Sequence, residues 1–122
     1  MLGKLGNKNM DLLGKMLSLH GARHRVIAQN VANVNTPNYR RREFNFDTAL
    51  SQALSNGTAS DYRGVKGYVS RPNTTPIRNN GNNVSIDKEM MDMGKNSMSY
   101  DIYGQLYTRK AQVLRSAIKG GR

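Results

Sequence analysis

Two heptad-like apolar patterns, one toward each end of a 122-residue chain, constrain its fold more than any other feature of the sequence. Over residues 10–34, steps of four and three meet Leu13, Leu17, His20, His24, Ile27, Val31 and Val34. A repeat near 3.5 residues is what a helix shows when it lies along another helix. Over residues 85–118 the same steps meet Ile86, Met90, Met93, Ser97, Tyr100, Gly104, Tyr107, Ala111, Leu114 and Ile118. An adjacent stripe holds Met91, Met98, Ile102, Leu106 and Val113. Two stripes on one helix are two faces to bury, more than a single partner helix covers. At ~1.5 Å per residue such a helix is about 50 Å long, which suits a filament better than a compact domain. The patterns predict a mainly α chain whose long N- and C-terminal helices pair as a coiled coil around an irregular or β-hairpin middle segment.

The chain divides into an N-terminal axial helix (1–34), a turn and short helix (35–56), an irregular or β extension (57–84) and a C-terminal axial helix (85–122). Asn9 is the expected N-cap of the first helix and Asp11 lies in its first turn. Gly21 interrupts the seam and lowers helix stability by about 1 kcal/mol relative to Ala. Asn35 suits a left-handed helix end, Pro37 forbids continuation, and Thr36 is driven extended by the proline after it. Phe44 and Phe46 alternate with Asn45 as in a short strand. Asp47 then stands where a cap belongs for a brief helix over 48–54, closed by Asn56-Gly57. Residues 57–84 lack a helical period; Val65, Tyr68 and Val69 suit short strands, and Asn80-Gly81 suits a hairpin turn. Ser85 or Asp87 begins the last helix, with acids early and bases late, as the helix dipole favours.

Composition narrows the function classes. Only 37% of residues are hydrophobic, Trp is absent, and Phe occurs only at positions 44 and 46. A monomer with so little apolar area to offset chain entropy is expected to lean on neighbours. The lack of cysteine rules out disulfides, thiolate nucleophiles and sulfur-based zinc sites. No apolar run approaches the roughly 20 residues that span a bilayer, so no direct membrane insertion is expected. The polar N-terminus does not read as a cleaved secretory signal.

The net charge of +11 is spread along the chain: +4 over residues 1–34, +1 over 35–55, +3 over 56–84 and +3 over 85–122. Local concentrations are Arg40-Arg41-Arg42 and the acid-free tail with Arg109, Lys110, Arg115, Lys119 and Arg122. A solvated or dipole-complementing face explains the tail as readily as an acidic partner does. Catalytic signatures are missing: there is no Gly-x-Ser-x-Gly elbow, no phosphate loop and no Gly-x-Gly-x-x-Gly. His20 and His24 sit four apart on one helical face, too few ligands for a metal without acids or cysteines beside them. Tyr100, Tyr103 and Tyr107 have helical spacing, so packing is their default role over base stacking. The chain is therefore read as no enzyme, with no cofactor and no metal.

Residues 23–41 contain Ile27-Ala28-Gln29-Asn30-Val31-Ala32-Asn33-Val34-Asn35-Thr36-Pro37-Asn38-Tyr39. This stretch resembles the N-terminal signature of bacterial flagellar rod and hook proteins. The following Arg42-Glu43-Phe44-Asn45-Phe46-Asp47 points to a proximal rod subunit. So do Asn82-Asn83-Val84-Ser85-Ile86-Asp87-Lys88-Glu89-Met90 and Leu114-Arg115-Ser116-Ala117-Ile118-Lys119-Gly120. Asn38 stands where the family usually has glycine, and asparagine tolerates the same positive φ. His24 stands where glutamine is common. The resemblance implies a structural subunit of the basal-body rod, periplasmic, and exported by the flagellar type III apparatus. Its implied partners are further copies, the rod proteins FlgC, FlgF and FlgG, the MS-ring/rod junction protein FliE, and the export gate.

The helix seam is expected to set Leu13, Leu17, Ile27, Val31 and Val34 against Met90, Met93, Tyr100, Tyr107, Leu114 and Ile118. Asn30, Asn33, Thr36, Pro37 and Tyr39 are expected to shape the turn where family members meet adjacent subunits. The alternative is a small basic nucleic-acid-binding protein, whose binding would weaken steeply with salt.

Overall fold

The structure, a computed structural model, describes the backbone of residues 2–120 and the side chains of residues 8–120. Residues 1, 121 and 122 (the outermost positions of the two expected axial helices, Arg122 of the basic tail among them) lie outside the described residues. The elements in order are α1 (Leu2–Ala32), β1 (Glu43–Asn45), α2 (Asp47–Asn56), α3 (Ala59–Arg63), β2 (Tyr68–Ser70) and α4 (Ile86–Gly120). Helix α1 begins well before Asn9, which lies inside it rather than capping it. No proline interrupts residues 2–32, so nothing stops the helix earlier.

Helices α1 and α4 pack along each other in antiparallel register. A Cβ on Gly14 would meet the Tyr107 ring at 3.7 Å, one on Gly104 would meet Leu17 at 3.8 Å, and one on Gly21 would meet the Tyr100 ring at 3.9 Å. Farther along, His20 bonds Asn96 and Asn30 bonds Glu89. Positions rising along α1 therefore meet positions falling along α4. Gly14 and Gly21 lie under tyrosine rings and Gly104 under Leu17, each at a distance that a methyl group would fill at ordinary contact.

The apolar core lies elsewhere. Leu19 of α1 clusters with Phe46, Ala53, Tyr62 and Val65, and Leu12, Phe44, Ala49 and Leu50 pack around them. Helix α1 is thus buried on two sides, by α4 and by the middle of the chain. The middle contains more structure than its composition indicates. Strands β1 and β2 pair antiparallel, with Phe44 opposite Val69, and Asn45 Nδ2 donates to Ser70 Oγ at 2.7 Å. A Cβ on Gly67 would fall 2.2 Å from the Phe44 ring, so only glycine passes there.

Helix α3 stands where no helical period was visible, because five residues are too few to display one. Thr58 Oγ1 caps it, accepting from the Asp61 N–H at 3.0 Å. Helix α2 has Phe46 at its N-cap without a side-chain bond. Asp47 sits inside its first turn, where it accepts from Arg23 Nη2 at 3.1 Å instead of capping. Its end matches the expected Asn56-Gly57 stop, with Gly57 left-handed at φ 73°.

The left-handed residue after α1 is Asn38 at φ 63°, not Asn35. Asn80-Gly81 does turn the chain, with Gly81 at φ 83°, its N–H donating to Arg78 O at 2.8 Å. Strands do not flank that turn; it docks on Asn38, whose N–H donates to Asn80 O at 2.8 Å.

Gly21→Ala fits beneath Tyr100 at ordinary contact distance and should raise stability by up to about 1 kcal/mol through helix propensity. Gly67→Ala forces Phe44 aside and should lower it by about 1–3 kcal/mol. Thermal unfolding followed by circular dichroism reads both, and opposite signs are expected.

Candidate assembly interface

Where α1 ends and α4 begins, the chain buries polar groups instead of apolar ones. Asn30 is wholly buried and uses its whole amide. Its Nδ2 donates to Arg42 O at 2.8 Å and to Glu89 Oε2 at 3.1 Å. Its Oδ1 accepts from Tyr39 Oη and from the Arg42 N–H, each at 3.0 Å. Asn82 does the same for the helix end, donating from Nδ2 to the Asn33 and Thr36 carbonyls at 2.8 Å. Its Oδ1 accepts from Val84 N–H at 2.7 Å and Arg78 Nη2 at 2.8 Å. Arg78 also donates to Val34 O, so the carbonyls of the turn that follows α1 are satisfied from the far side of the chain.

Arg41 crosses this joint with 1% of its side chain exposed. Its Nε donates to Glu89 Oε1 at 2.7 Å and its Nη1 to Glu43 Oε1 at 2.6 Å, with Asp92 3.9 Å from Nη2. Burial pulls the guanidinium pKa down, but the hydrogen bonds to Glu89 and Glu43 outweigh it and hold the pKa above the usual arginine value. The Arg41 N–H donates to Asn83 Oδ1 at 2.6 Å. Burial raises the Tyr39 phenol above its ordinary value against the opposing pull of Arg42, so at neutral pH the O–H that reaches Asn30 is kept.

A second polar contact sits between the long helices. His20 Nδ1 lies 2.7 Å from Asn96 Oδ1, while Asn96 Nδ2 donates to His20 O at 2.7 Å. That pairing fixes the Nδ1–H tautomer. The His20 ring stacks on Tyr103 at 5.5 Å and stands edge-on to Phe46 at 5.2 Å. His24, four residues on, faces solvent. Among the described residues no group of three His, Cys, Asp or Glu converges as a metal shell. A cleft of about 310 Å³ beside β1 has charged walls, and Arg23–Asp47, Arg41–Glu43 and Lys88–Asp92 pair across them.

The expected seam residues fall into two groups. Ile27 is buried, and Leu13, Leu17, Val31, Val34, Met93 and Leu114 are half-buried. Tyr100 and Tyr107 lie across glycines of α1 at the border of exposure. Met90, at 53% exposed, and Ile118, at 72%, are uncovered. Of the expected turn residues, Asn30, Asn33, Thr36 and Tyr39 join the polar joint, and Pro37 is exposed at its rim. The second stripe of α4 is open along its length: Met91 60%, Met98 67%, Ile102 54%, Leu106 43% and Val113 59% exposed. Exposed apolar side chains aligned in this way are a candidate interaction surface.

Sequence reasoning missed Arg41, Glu89, Asn82, Asn83 and Asn96. Arg41 lies inside the run Arg40-Arg41-Arg42, and Glu89 stands in the first turn of α4, where an acid also complements the helix dipole. One signal was present: Glu89, Asn96 and Tyr103 are spaced by sevens, a heptad phase beside the apolar one.

Glu89→Ala leaves Arg41 buried without its closest partner and should lower stability by about 3–5 kcal/mol. The double change Arg41→Met/Glu89→Leu should lower it by clearly less than the two single changes summed, read by urea unfolding. Tyr39→Phe should cost about 1 kcal/mol. Because the folded pKa of Tyr39 is raised, its stabilisation is complete below the unfolded value near ~10 and fades as pH rises through the folded one. An alkaline unfolding limb that flattens in Tyr39→Phe is the expected result.

No protein-family model matches the chain. It is 32% identical over 119 residues to the flagellar basal body rod protein FlgB of Bacillus subtilis (strain 168), covering 90% of this chain and 92% of that protein. It is 29% identical over 129 residues to the protein of the same name from Borrelia hermsii, covering 91% and 96%. With that of Aquifex aeolicus (strain VF5) it shares 28% identity over 117 residues, covering 93% and 94%. On likeness that runs almost end to end, the chain belongs to the flagellar basal body rod protein FlgB family.

Proposed function

We propose that the chain is a structural, non-enzymatic subunit of the flagellar basal-body rod, polymerising through its terminal helices into the shaft that transmits torque. Family membership supports the rod, and one observation carries the mode of assembly. Helix α4 is covered by α1 on one side, while its other side leaves a helix of about 50 Å bare. Burying that side on assembly provides the driving force, at roughly 25 cal/mol per Å² of apolar area. The free subunit stays soluble through its charge of +11. The seam of Leu13, Leu17, Ile27, Val31 and Val34 with Met93, Tyr100, Tyr107 and Leu114 holds the helix pair. Met90 and Ile118 extend the surface open to neighbours.

The polar joint is the part suited to carry load. Asn30, Arg41, Asn82 and Glu89 tie together segments distant in sequence through short, fully used hydrogen bonds. A shaft under torsion needs that stiffness where a long helix turns into a loop. The neighbours in this reading are further copies, the rod proteins FlgC, FlgF and FlgG, and the junction protein FliE. Delivery to the periplasmic rod runs through the flagellar export gate. No helix among the described residues is long and apolar enough to cross a membrane.

Deleting the gene should abolish motility, and Met98→Asp, on the bare side of α4, should abolish rod assembly without lowering expression. Immunoblots of isolated basal bodies read the outcome, with monomer unfolding measured alongside. Normal motility and normal incorporation of the Met98→Asp protein would overturn this reading.

A further inference from the structure

The outer stripe of α4 has a charge pattern that selects what covers it. Met91, Met98, Ile102, Leu106 and Val113 recur at helical spacing on the side of α4 away from α1. Within the same stripe, Lys95 stands between Met91 and Met98, and Arg109 between Leu106 and Val113. Both are exposed, and among the described residues neither has a carboxylate within salt-bridge distance. The acids of this stretch lie off the stripe. Asp92 pairs with Lys88, and Asp101 is turned about 100° around the helix from Ile102.

A second copy pairing antiparallel through this face would centre on Ile102. Met98 would then oppose Leu106, Met91 would oppose Val113, and Lys95 would oppose Arg109. The apolar positions are self-complementary and the charges are not. Parallel pairing fares no better, with lysine on lysine and arginine on arginine. Inside an apolar stripe those cations lose water on docking, and like charges so placed are strongly unfavourable. The chain as a whole repels its copies as well, at +11.

We propose that the outer stripe of α4 docks an amphipathic helix of a different protein, one bearing carboxylates two heptads apart to meet Lys95 and Arg109. The two cations are 14 positions apart in the sequence, about 21 Å along the helix. The proposal rests on the reading of the chain as an assembling rod subunit and names the chemistry of one neighbour.

The test uses the full chain and two labelled synthetic helices, each about four heptads long with a leucine stripe. One carries Glu and the other Lys at two stripe positions two heptads apart. In fluorescence anisotropy the Glu helix should bind at least tenfold more tightly. Lys95→Glu/Arg109→Glu should invert that preference, and Lys95→Gln/Arg109→Gln should abolish it. Equal binding of both helices, or a preference that the charge reversal leaves in place, overturns the proposal. So does self-association of the wild-type chain in sedimentation that Ile102→Asp removes, since the occupant would then be a second copy. Failure of the rod reading would appear separately, as absence of the chain from isolated basal bodies.

Discussion

The rest of the molecule depends on the ion pair between Arg41 and Glu89, whose side chains are 1% and 0% exposed. Two charges taken out of water hold together only when both are present and their remaining donors and acceptors are used. Here Glu43 takes a further Arg41 donor and Asn30 occupies the second Glu89 oxygen. Such a pair adds little net stability over an apolar replacement, yet it tolerates few alternative geometries. It locks the loop after α1 to the first turns of α4, and so sets which residues of the long helices meet. With Glu89 held beside Asn30, the helical rise places Tyr100 over Gly21 and Tyr107 over Gly14.

Burial is divided unequally between the two long helices. Helix α1 has α4 on one flank and the Leu19–Phe46–Tyr62 cluster on another. Among the described residues, helix α4 has α1 along its length and Arg41 of the loop after α1 at its first turns. Its buried residues, Glu89 and Asn96, are polar, while its large apolar side chains Met91, Met98, Ile102 and Val113 face outward. A helix that hides polar groups and displays apolar ones is poorly explained by the monomer alone. Within an assembly the same arrangement is coherent, because the inner polar contacts fix the pairing and the outer apolar face remains for a neighbour. Charge on that face then restricts which neighbour fits.

The two long helices were legible from their heptad steps, because regular burial over thirty residues leaves a strong period. Tyr100 and Tyr107 have the spacing of one helix face, and the fold sets them across Gly21 and Gly14 with part of each ring still exposed. The contact at Gly21 was not legible: local propensity marks this glycine only as a weak point, and the facing Tyr100 ring comes from the far end of the chain. Asn38 rather than Asn35 takes the left-handed turn because the loop from 78 to 82 docks against it, a contact 42 positions distant along the chain. The polar joint was hidden for a similar reason. Arg41, Asn82 and Glu89 look like ordinary surface residues until long-range closure brings them together, and α3 is too short to show any period. Fold class thus follows from local pattern, whereas the joint follows from contacts that local pattern does not encode.

Exposure of the outer α4 face in the free subunit and its cover in the rod is the claim on which this mechanism stands. The chain contains no cysteine, so Met98→Cys provides a single thiol on that face. Labelling with a maleimide should be fast in the purified subunit and slowed at least tenfold in isolated basal bodies. Equal labelling in both states would contradict the mechanism.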